Sequence, residues 1–191
     1  MRSTLQSNGG TDAEVNKRTQ SGWKNWKKVS GVLCDKRIPQ RVKGKIYKMV
    51  VQPAMLYATE TLPLASRHVR KLETTVMKMC RWTCGHTRKD HVRNDDIRRR
   101  LEVENISVLC KKARLRWFGH VKRKDQNFVG RYTLEMKPPG KRRRGRPKLR
   151  WLDCVISDMN DMGATEEDAK DRQRWKKFVS AAATPPPSGS S

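Results

Sequence analysis

Residues 111–123 read KKARLRWFGHVKR, and residues 140–151 read GKRRRGRPKLRW. These segments open and close a stretch, from Lys111 to Arg150, that holds 16 lysines and arginines against two acids, Asp125 and Glu135. The local excess of 14 positive charges is more than half of the net charge of the chain, +25. Like charges at this density repel one another in a compact state unless a polyanion or solvent surrounds them. Nucleic acid is therefore the first partner that the sequence predicts.

The first segment continues a helical pattern that begins at Ile106. Apolar residues recur on one stripe at helical spacing, whereas basic residues occupy the other faces. The predicted stripe consists of Ile106, Leu109, Cys110, Ala113, Trp117 and Val121. We expect this helix to pack through the stripe and to lie along phosphates through its basic faces. The predicted phosphate contacts are Lys111, Lys112, Arg114, Arg116, Lys122 and Arg123.

Helical periodicity recurs elsewhere and predicts a mainly α protein. Around Pro53 it indicates a kinked helix or two pieces, with Val42, Ile46, Met49 and Val50 on the apolar side. A second helix has Ser66 as its N-cap and a glycine stop at Gly85, and its stripe is Val69, Leu72, Val76, Met79, Cys80 and Thr83. After Pro147, a further helix stops at Gly163, and a capping box at residues 165–168 opens a last one. We predict a small bundle of amphipathic helices with a basic connector and disordered termini.

Composition divides the chain into five predicted segments. They are a disordered tail at 1–22, a helical region at 23–124, a basic connector at 125–150, a C-terminal helical pair at 151–179 and a disordered tail at 180–191. Trp23 and Trp26 are interpreted as packing residues rather than as a base-stacking pair, and residues 132–134 as extended. Residues 153–171 hold seven acids and one lysine. We expect this acidic segment to fold against the basic stretch and to weaken nucleic-acid binding.

The segment Arg144-Gly145-Arg146-Pro147 is the strongest local motif. An extended Arg-Gly-Arg run fits a narrow minor groove, because A·T tracts concentrate negative potential there. It resembles the core of an AT-hook. The alternatives are a nuclear-localisation run or a solvated basic connector, since Lys/Arg-rich runs of this kind are common. General phosphate contact is favoured over minor-groove readout. The predicted contacts in this region are Lys141, Arg142, Arg143, Arg144, Arg146, Lys148 and Arg150.

No residue pattern predicts an enzyme, a cofactor or a small-molecule substrate. Cys80, Cys84, His86 and His91 are zinc-ligand types, but their spacing matches no standard finger, and core cysteines are favoured. Asp95 and Asp96 are favoured as an N-cap over a metal pair, and His120 has no nucleophile spaced to it. The five cysteines follow no disulfide pattern and are interpreted as reduced thiols. No apolar run reaches the roughly 20 residues that span a bilayer, so no membrane partner is expected.

Seven segments in order resemble the region that follows the polymerase core in non-LTR (LINE-type) retrotransposon reverse transcriptases. They extend from about Trp23 to Val179. Two further residues, Ala58 and Leu62, stand where such elements more usually have Gly and Trp. The matching segments are 43–47 (KGKIY), 53–57 (PAMLY), 80–85 (CRWTCG), 93–97 (RNDDI), 114–121 (RLRWFGHV), 145–148 with Trp151, and 168–172 (DAKDR) with Trp175.

The resemblance implies the thumb-side and C-terminal part of an RNA-directed DNA polymerase, without its catalytic activity. The metal-binding hairpin of the palm, which would hold Mg²⁺, and the endonuclease would lie upstream of Met1. The expected partners are DNA, RNA or both, and the expected location is the nucleus or a cytoplasmic ribonucleoprotein. A non-functional relic of such an element is the other interpretation.

Overall fold

The predicted mainly α fold is confirmed in a computed structural model that describes residues 10–136 and 149–182. Those residues form helices and turns, with no strand among them. None of their helices combines the length and apolar character that crossing a bilayer requires. The helices are α1 (Asp12–Lys28), α2 (Ser30–Leu33), α3 (Gln40–Ile46), a π-helix (Tyr47–Val51), α4 (Gln52–Leu56), α5 (Ser66–Thr83), α6 (Asn94–Leu101), α7 (Ile106–Lys122), α8 (Val129–Glu135), α9 (Trp151–Asn160) and α10 (Arg172–Ala181), with 3₁₀ turns at Thr59–Thr61 and Glu167–Ala169.

The contacts divide the chain into two units. Unit 1 comprises Met1–Ala58 and Leu64–Leu109, and unit 2 comprises Thr59–Pro63 and Cys110–Ser191. The division therefore falls inside α7, whereas the sequence placed the end of the helical region at residue 124. The composition of the sequence changes at residue 124. The unit in which each part of α7 packs depends on which side chains it contacts in space, and local composition does not reveal those contacts.

The N-terminal tail was expected to extend to residue 22, and this prediction is wrong from Asp12 onward, because α1 begins there. In unit 1, the Asp12 carboxylate lies 3.0 Å from His68 Nε2 and 2.9 Å from Arg67 Nη2, and Asn16 accepts from Lys71. Glu14 and Arg18 are buried and paired with each other. A buried face made partly of charged residues has no apolar periodicity, so the sequence pattern could not reveal it.

Three tryptophans join α1 to α5 in unit 1. The ring centroids of Trp23 and Trp26 lie 5.5 Å and 5.6 Å from that of Trp82, and 5.7 Å from each other. Trp26 Nε1 also donates to Thr83 Oγ1 at 3.4 Å. Aromatic contacts at these separations stabilise a packed pair beyond the area that they bury. The interpretation of Trp23 and Trp26 as packing residues is confirmed.

The helix around Pro53 is continuous but irregular. Proline has no amide donor and its ring collides with the preceding turn, and a π-helix at Tyr47–Val51 stands immediately before it. The predicted apolar side is wrong, because Val42 is 42% and Met49 77% exposed. The buried face instead contains Lys43, Gly44, Tyr47 and Val51.

Gly44 and Lys43 explain this choice of face. A Cβ atom on Gly44 would lie 1.8 Å from the carbonyl oxygen of Leu101. The close approach of α3 to the end of α6 therefore requires glycine at this position. Lys43 Nζ donates to Thr83 O at 3.2 Å, at the carbonyl end of α5, where a cation is favoured. A lysine buried in this way adds nothing to the apolar periodicity of the sequence.

The α5 stripe is largely confirmed, since Leu72, Val76, Met79, Cys80 and Thr83 are all buried. Its start differs by one residue: Ala65 is the N-cap, and Ser66 is the first helical residue. Gly85 has a φ of +71°, which confirms the predicted glycine stop. Asp95 and Asp96 are likewise inside the first turn of α6 rather than at its cap, which is Arg93. All five cysteines are free thiols.

Unit 2 has its own core of buried residues on α7, α9 and α10. On α7, Cys110 and Val121 of the predicted stripe are buried, but Leu115 and Phe118 are buried in place of Ala113 and Trp117, which are half-buried. The extended segment predicted at 132–134 is helical, in α8, because Tyr132 and Met136 donate to carbonyls four residues back. The core cluster is Leu115, Phe118, Val155, Met159, Ala164, Ala169, Trp175 and Val179.

The last two turns of unit 2 are organised by two aspartates. Asp168 Oδ2 accepts from the amide and hydroxyl of Thr165, both at 2.7 Å, which is the Asp168 half of the predicted capping box. The box does not open the last helix, because the 3₁₀ turn at Glu167–Ala169 has Glu166 as its N-cap and α10 begins only at Arg172. The N-cap of α10 is Asp171, whose Oδ1 accepts from the amides of Gln173 and Arg174 at 2.7 and 3.1 Å.

These caps predict that acid weakens unit 2. Hydrogen bonds from backbone amides lower the pKa of Asp168 and Asp171 in the folded protein. A lowered folded pKa gives stability that is complete above the unfolded pKa, about 3.9, and is lost as the pH falls through the folded value. The free energy of unfolding in urea should therefore be lower for Asp171→Asn than for the unmodified chain near neutral pH. Near pH 2 the two values should differ little. An equal difference at both pH values would contradict the prediction.

Candidate nucleic-acid interface

The basic residues of α7 face the acidic C-terminal segment in unit 2. Lys111 Nζ lies 2.7 Å from Asp161 Oδ2 and 3.8 Å from Asp158 Oδ1. Lys122 forms an ion pair with Glu166. The prediction that the acidic segment folds against the basic stretch is confirmed for these residues. Part of the positive face of α7 is therefore neutralised within the chain.

Arg114 is the α7 residue that departs most from its predicted role. It is 6% exposed, and its Nη1 lies 3.4 Å from Oδ2 of Asp158, which is 9% exposed. Desolvation raises the pKa of the Asp158 carboxyl despite the opposing effect of Arg114 and Lys111. A buried guanidinium with a carboxylate partner is not available to a phosphate. The predicted phosphate contact by Arg114 is therefore wrong for this conformation.

The other predicted α7 contacts are more accessible. Arg123 is exposed and its Nη1 donates to the carbonyl of Ala169 at 2.7 Å. Arg116 is exposed and its Nε donates to Lys112 O at 3.2 Å, while Lys112 itself is half-buried. His120 is also exposed, with its ring stacked on Trp117 at a centroid distance of 5.6 Å. This surface of α7 can meet an anion with Arg116 and Arg123.

The connector that holds the Arg-Gly-Arg-Pro motif falls largely outside the described residues. Six of the predicted contacts lie outside the described residues, so they stay a prediction: Lys141, Arg142, Arg143, Arg144, Arg146 and Lys148. Arg150 is described: it is the exposed N-cap of α9, and its amide donates to Asp153 Oδ2 at 2.8 Å. The sequence from Met136 to Leu152 contains no acid.

The segment Trp117-Phe118-Gly119-His120 has a packing role within unit 2. Trp175 Nε1 donates to the carbonyl of Leu115 at 2.8 Å. The indole passes so close to α7 that a Cβ on Gly119 would lie 2.3 Å from Trp175 Nε1. Gly119 is thus required by the close approach of the α10 tryptophan.

The residues considered for metal binding are placed for other contacts. Burial raises the pKa of the Cys80 thiol to about 12, which disfavours the thiolate that zinc requires. His86 Nε2 lies 2.7 Å from Arg100 Nη1, and His91 is exposed. Asp95 and Asp96 pair with Arg98 and Arg99 of their own helix. Within residues 10–136 and 149–182, no group of three or more His, Cys, Asp or Glu side chains is placed to hold an ion.

A second cationic surface, which the sequence did not indicate, lies in unit 1. It is a groove with a volume of about 570 Å³, and we call it the α5 groove. Among the described residues that line it, five are cationic and only Glu73 is acidic. The lining residues are Arg70, Glu73, Thr74, Met77, Lys78, Arg81, Arg88, Asn94, Arg98 and Asn105. Spacing along α5 could have identified part of it, since Arg70, Lys78 and Arg81 share one helical face.

These features define a basic, helical chain of two units with cationic surfaces. The sequence is similar to a Caenorhabditis elegans protein described as transposon-derived and uncharacterized, with 27% identity over 181 residues. The match covers 87% of this chain and 63% of the relative, so the chain spans less than two thirds of the relative's length. No family model matches the chain, and no solved structure matches it. The similarity supports an origin in a transposable element.

Proposed function

We propose that this chain is a nucleic-acid-binding segment of a LINE-type reverse transcriptase. The observation that carries the proposal is the acid-free basic run. The chain neutralises Lys111, Arg114 and Lys122 with its own acids, yet residues 136–152 contain eight lysines and arginines and no acid. A run of this kind is typical of a segment that meets phosphates.

The similarity to a transposon-derived protein supports the origin, and the ordered resemblance in the sequence supports the reverse-transcriptase class. The segment would hold template or target nucleic acid for a polymerase domain that contributes the chemistry. It would act without polymerase activity, cofactor or metal of its own. We propose the nucleus or a cytoplasmic ribonucleoprotein as its location.

The proposal predicts binding that weakens steeply with salt. Each neutralised phosphate contributes about −0.9 to the slope of log K against log salt on duplex DNA. Fluorescence anisotropy with a short labelled duplex, from about 50 to 200 mM salt, should give a slope of several units. Substituting Arg142, Arg143 and Arg144 by Gln should reduce the slope by about three. A chain that ignores both DNA and RNA at low salt would overturn the proposal.

The Arg-Gly-Arg-Pro motif favours a second candidate function, minor-groove binding. The same titration distinguishes it if an A·T-rich and a G·C-rich duplex are compared. A minor-groove binder should prefer the A·T-rich duplex and lose that preference in Arg146→Ala, at a cost of about 1–3 kcal/mol. Equal affinity for the two duplexes leaves general phosphate binding as the function.

A further inference from the structure

We infer that the α5 groove of unit 1 is a binding site for the sugar-phosphate backbone of a nucleic acid. This inference rests on the proposed function and gives it a second, structured site besides the connector. Small-molecule pockets are lined mostly by apolar side chains. The α5 groove instead presents four arginines and a lysine around its walls, with Met77 as its apolar contact.

Three of its cations are available to a ligand. Arg70, Lys78 and Arg88 are exposed, and among the described residues none of them makes an ion pair or a side-chain hydrogen bond. This distinguishes them from the cations of α7, several of which face acids of unit 2. A concave surface that concentrates unpaired positive charge attracts a polyanion more strongly than isolated surface lysines do.

The other two arginines hold the walls in place. Arg81 Nη2 donates to the carbonyl of Val92 at 3.3 Å and also contacts Asn94 Oδ1, so it joins α5 to the start of α6. Arg98 pairs with Asp95, and its Nη1 lies 3.6 Å from Met77 Sδ. These contacts make Arg81 and Arg98 positioning residues. They hold α5 against the start of α6 beside the groove.

The loop that carries Arg88 is also ordered by local contacts. Asp90 Oδ2 accepts from the amide of Thr87 at 2.6 Å and from its hydroxyl at 3.2 Å. Those bonds lower the pKa of Asp90, whose Oδ2 also lies 3.7 Å from His86 Nδ1. Arg88 therefore enters the groove from a short closed turn.

The basic residues of α5 that line the groove are Arg70, Lys78 and Arg81, and the length of this row suits a polymer better than a single anion. Arg70 and Arg81 are separated by eleven residues of α5, about 16 Å along the helix axis. One strand of duplex DNA rises about 3.4 Å per phosphate, so this length corresponds to roughly five phosphates. Guanidinium groups bind phosphate oxygens through paired hydrogen bonds, and a backbone ligand uses them without reading base sequence.

The test compares two double variants with the same change in charge. Arg70→Gln/Lys78→Gln removes two groove cations, and Lys24→Gln/Lys36→Gln removes two exposed lysines of unit 1 outside the groove. Anisotropy titrations use the full chain with a single-stranded and a duplex oligonucleotide, as DNA and as RNA. The groove pair should lower the salt slope by about two and weaken binding at least tenfold, whereas the matched pair should change it little. Circular dichroism verifies that all the variants remain helical.

Arg88→Gln is an independent single variant, and a slope reduced by about one supports the inference. Equal losses in the groove pair and the matched pair overturn the inference while leaving the proposed function intact. Absence of binding by the unmodified chain overturns both. Inorganic phosphate is titrated separately: a groove that binds it but whose substitution leaves oligonucleotide binding unchanged is a free-anion site, which also overturns the inference.

Discussion

Replacing Gly44 with alanine is expected to destabilise unit 1 by about 3 kcal/mol or more. The new Cβ would lie 1.8 Å from Leu101 O and 2.8 Å from the carbonyl carbon of the same residue. Both partners are helix backbone, so no side-chain rotation relieves the overlap, and α3 must move away from α6. That movement would also disturb the contact between Arg41 and Glu102 and the bond from Lys48 Nζ to Glu102 O.

Urea unfolding followed by circular dichroism measures this effect, and Gly31→Ala is the matched control. Gly31 lies in α2, where an added Cβ meets no atom within 4 Å. The control should be unchanged or more stable by up to about 1 kcal/mol, because alanine restricts the unfolded chain. If Gly44→Ala were as stable as Gly31→Ala, the close packing of α3 on α6 would be wrong. A loss of helix without a cooperative transition in the unmodified chain would favour a non-functional relic.

Replacing Arg114 with methionine should destabilise unit 2 by about 3 kcal/mol, because it leaves the buried Asp158 with Lys111 as its remaining cation. The side chains of Arg114 and Asp158 are 7% and 12% exposed, so solvent screens their interaction little. Asp158→Asn should also be destabilising, because it leaves the buried Arg114 without its carboxylate partner. Desolvation raises the pKa of Asp158, so its charged form is less favoured in the folded than in the unfolded state.

The pH dependence of Arg114→Met follows from the same reasoning. A carboxyl with a raised folded pKa binds its proton more tightly in the folded than in the unfolded protein. Its contribution to stability is therefore greatest at low pH and declines as the pH rises through the folded pKa. The deficit of Arg114→Met should consequently shrink on acidification, and the double variant Arg114→Met/Asp158→Leu should recover most of it.

Urea unfolding at neutral and acidic pH tests these expectations, with Arg116→Met as the control on the same helix. Arg116 is exposed, so its replacement should change the free energy of unfolding by no more than about 0.5 kcal/mol. Equal losses in Arg114→Met and in the double variant would show that lost packing, rather than an unpaired charge, causes the destabilisation.

The helices could be predicted where apolar periodicity is strong and the ends carry their own signals. The stripe of α5 and its stop at Gly85, together with the stop at Gly163, depend on local backbone preferences. The ion pairs between α7 and residues 153–171 could likewise be predicted, because opposite charges attract one another within a small folded unit. The start of α1 could not be predicted, because its buried residues include the charged Glu14 and Arg18, which are residue types usually found in contact with solvent.

The sequence by itself determined a helical, strongly basic chain, because periodicity and net charge are properties of the residue order. Only the tertiary structure decided which faces are buried and which cations remain available. Lys43 and Arg114 have the same formal charge as Arg70 and Lys78, yet the first two are buried and the last two line an open groove. The physical reason is that a charge acts through its distance to partners and to water. Both distances are set by backbone contacts such as Gly44 on Leu101, which join residues far apart in the chain.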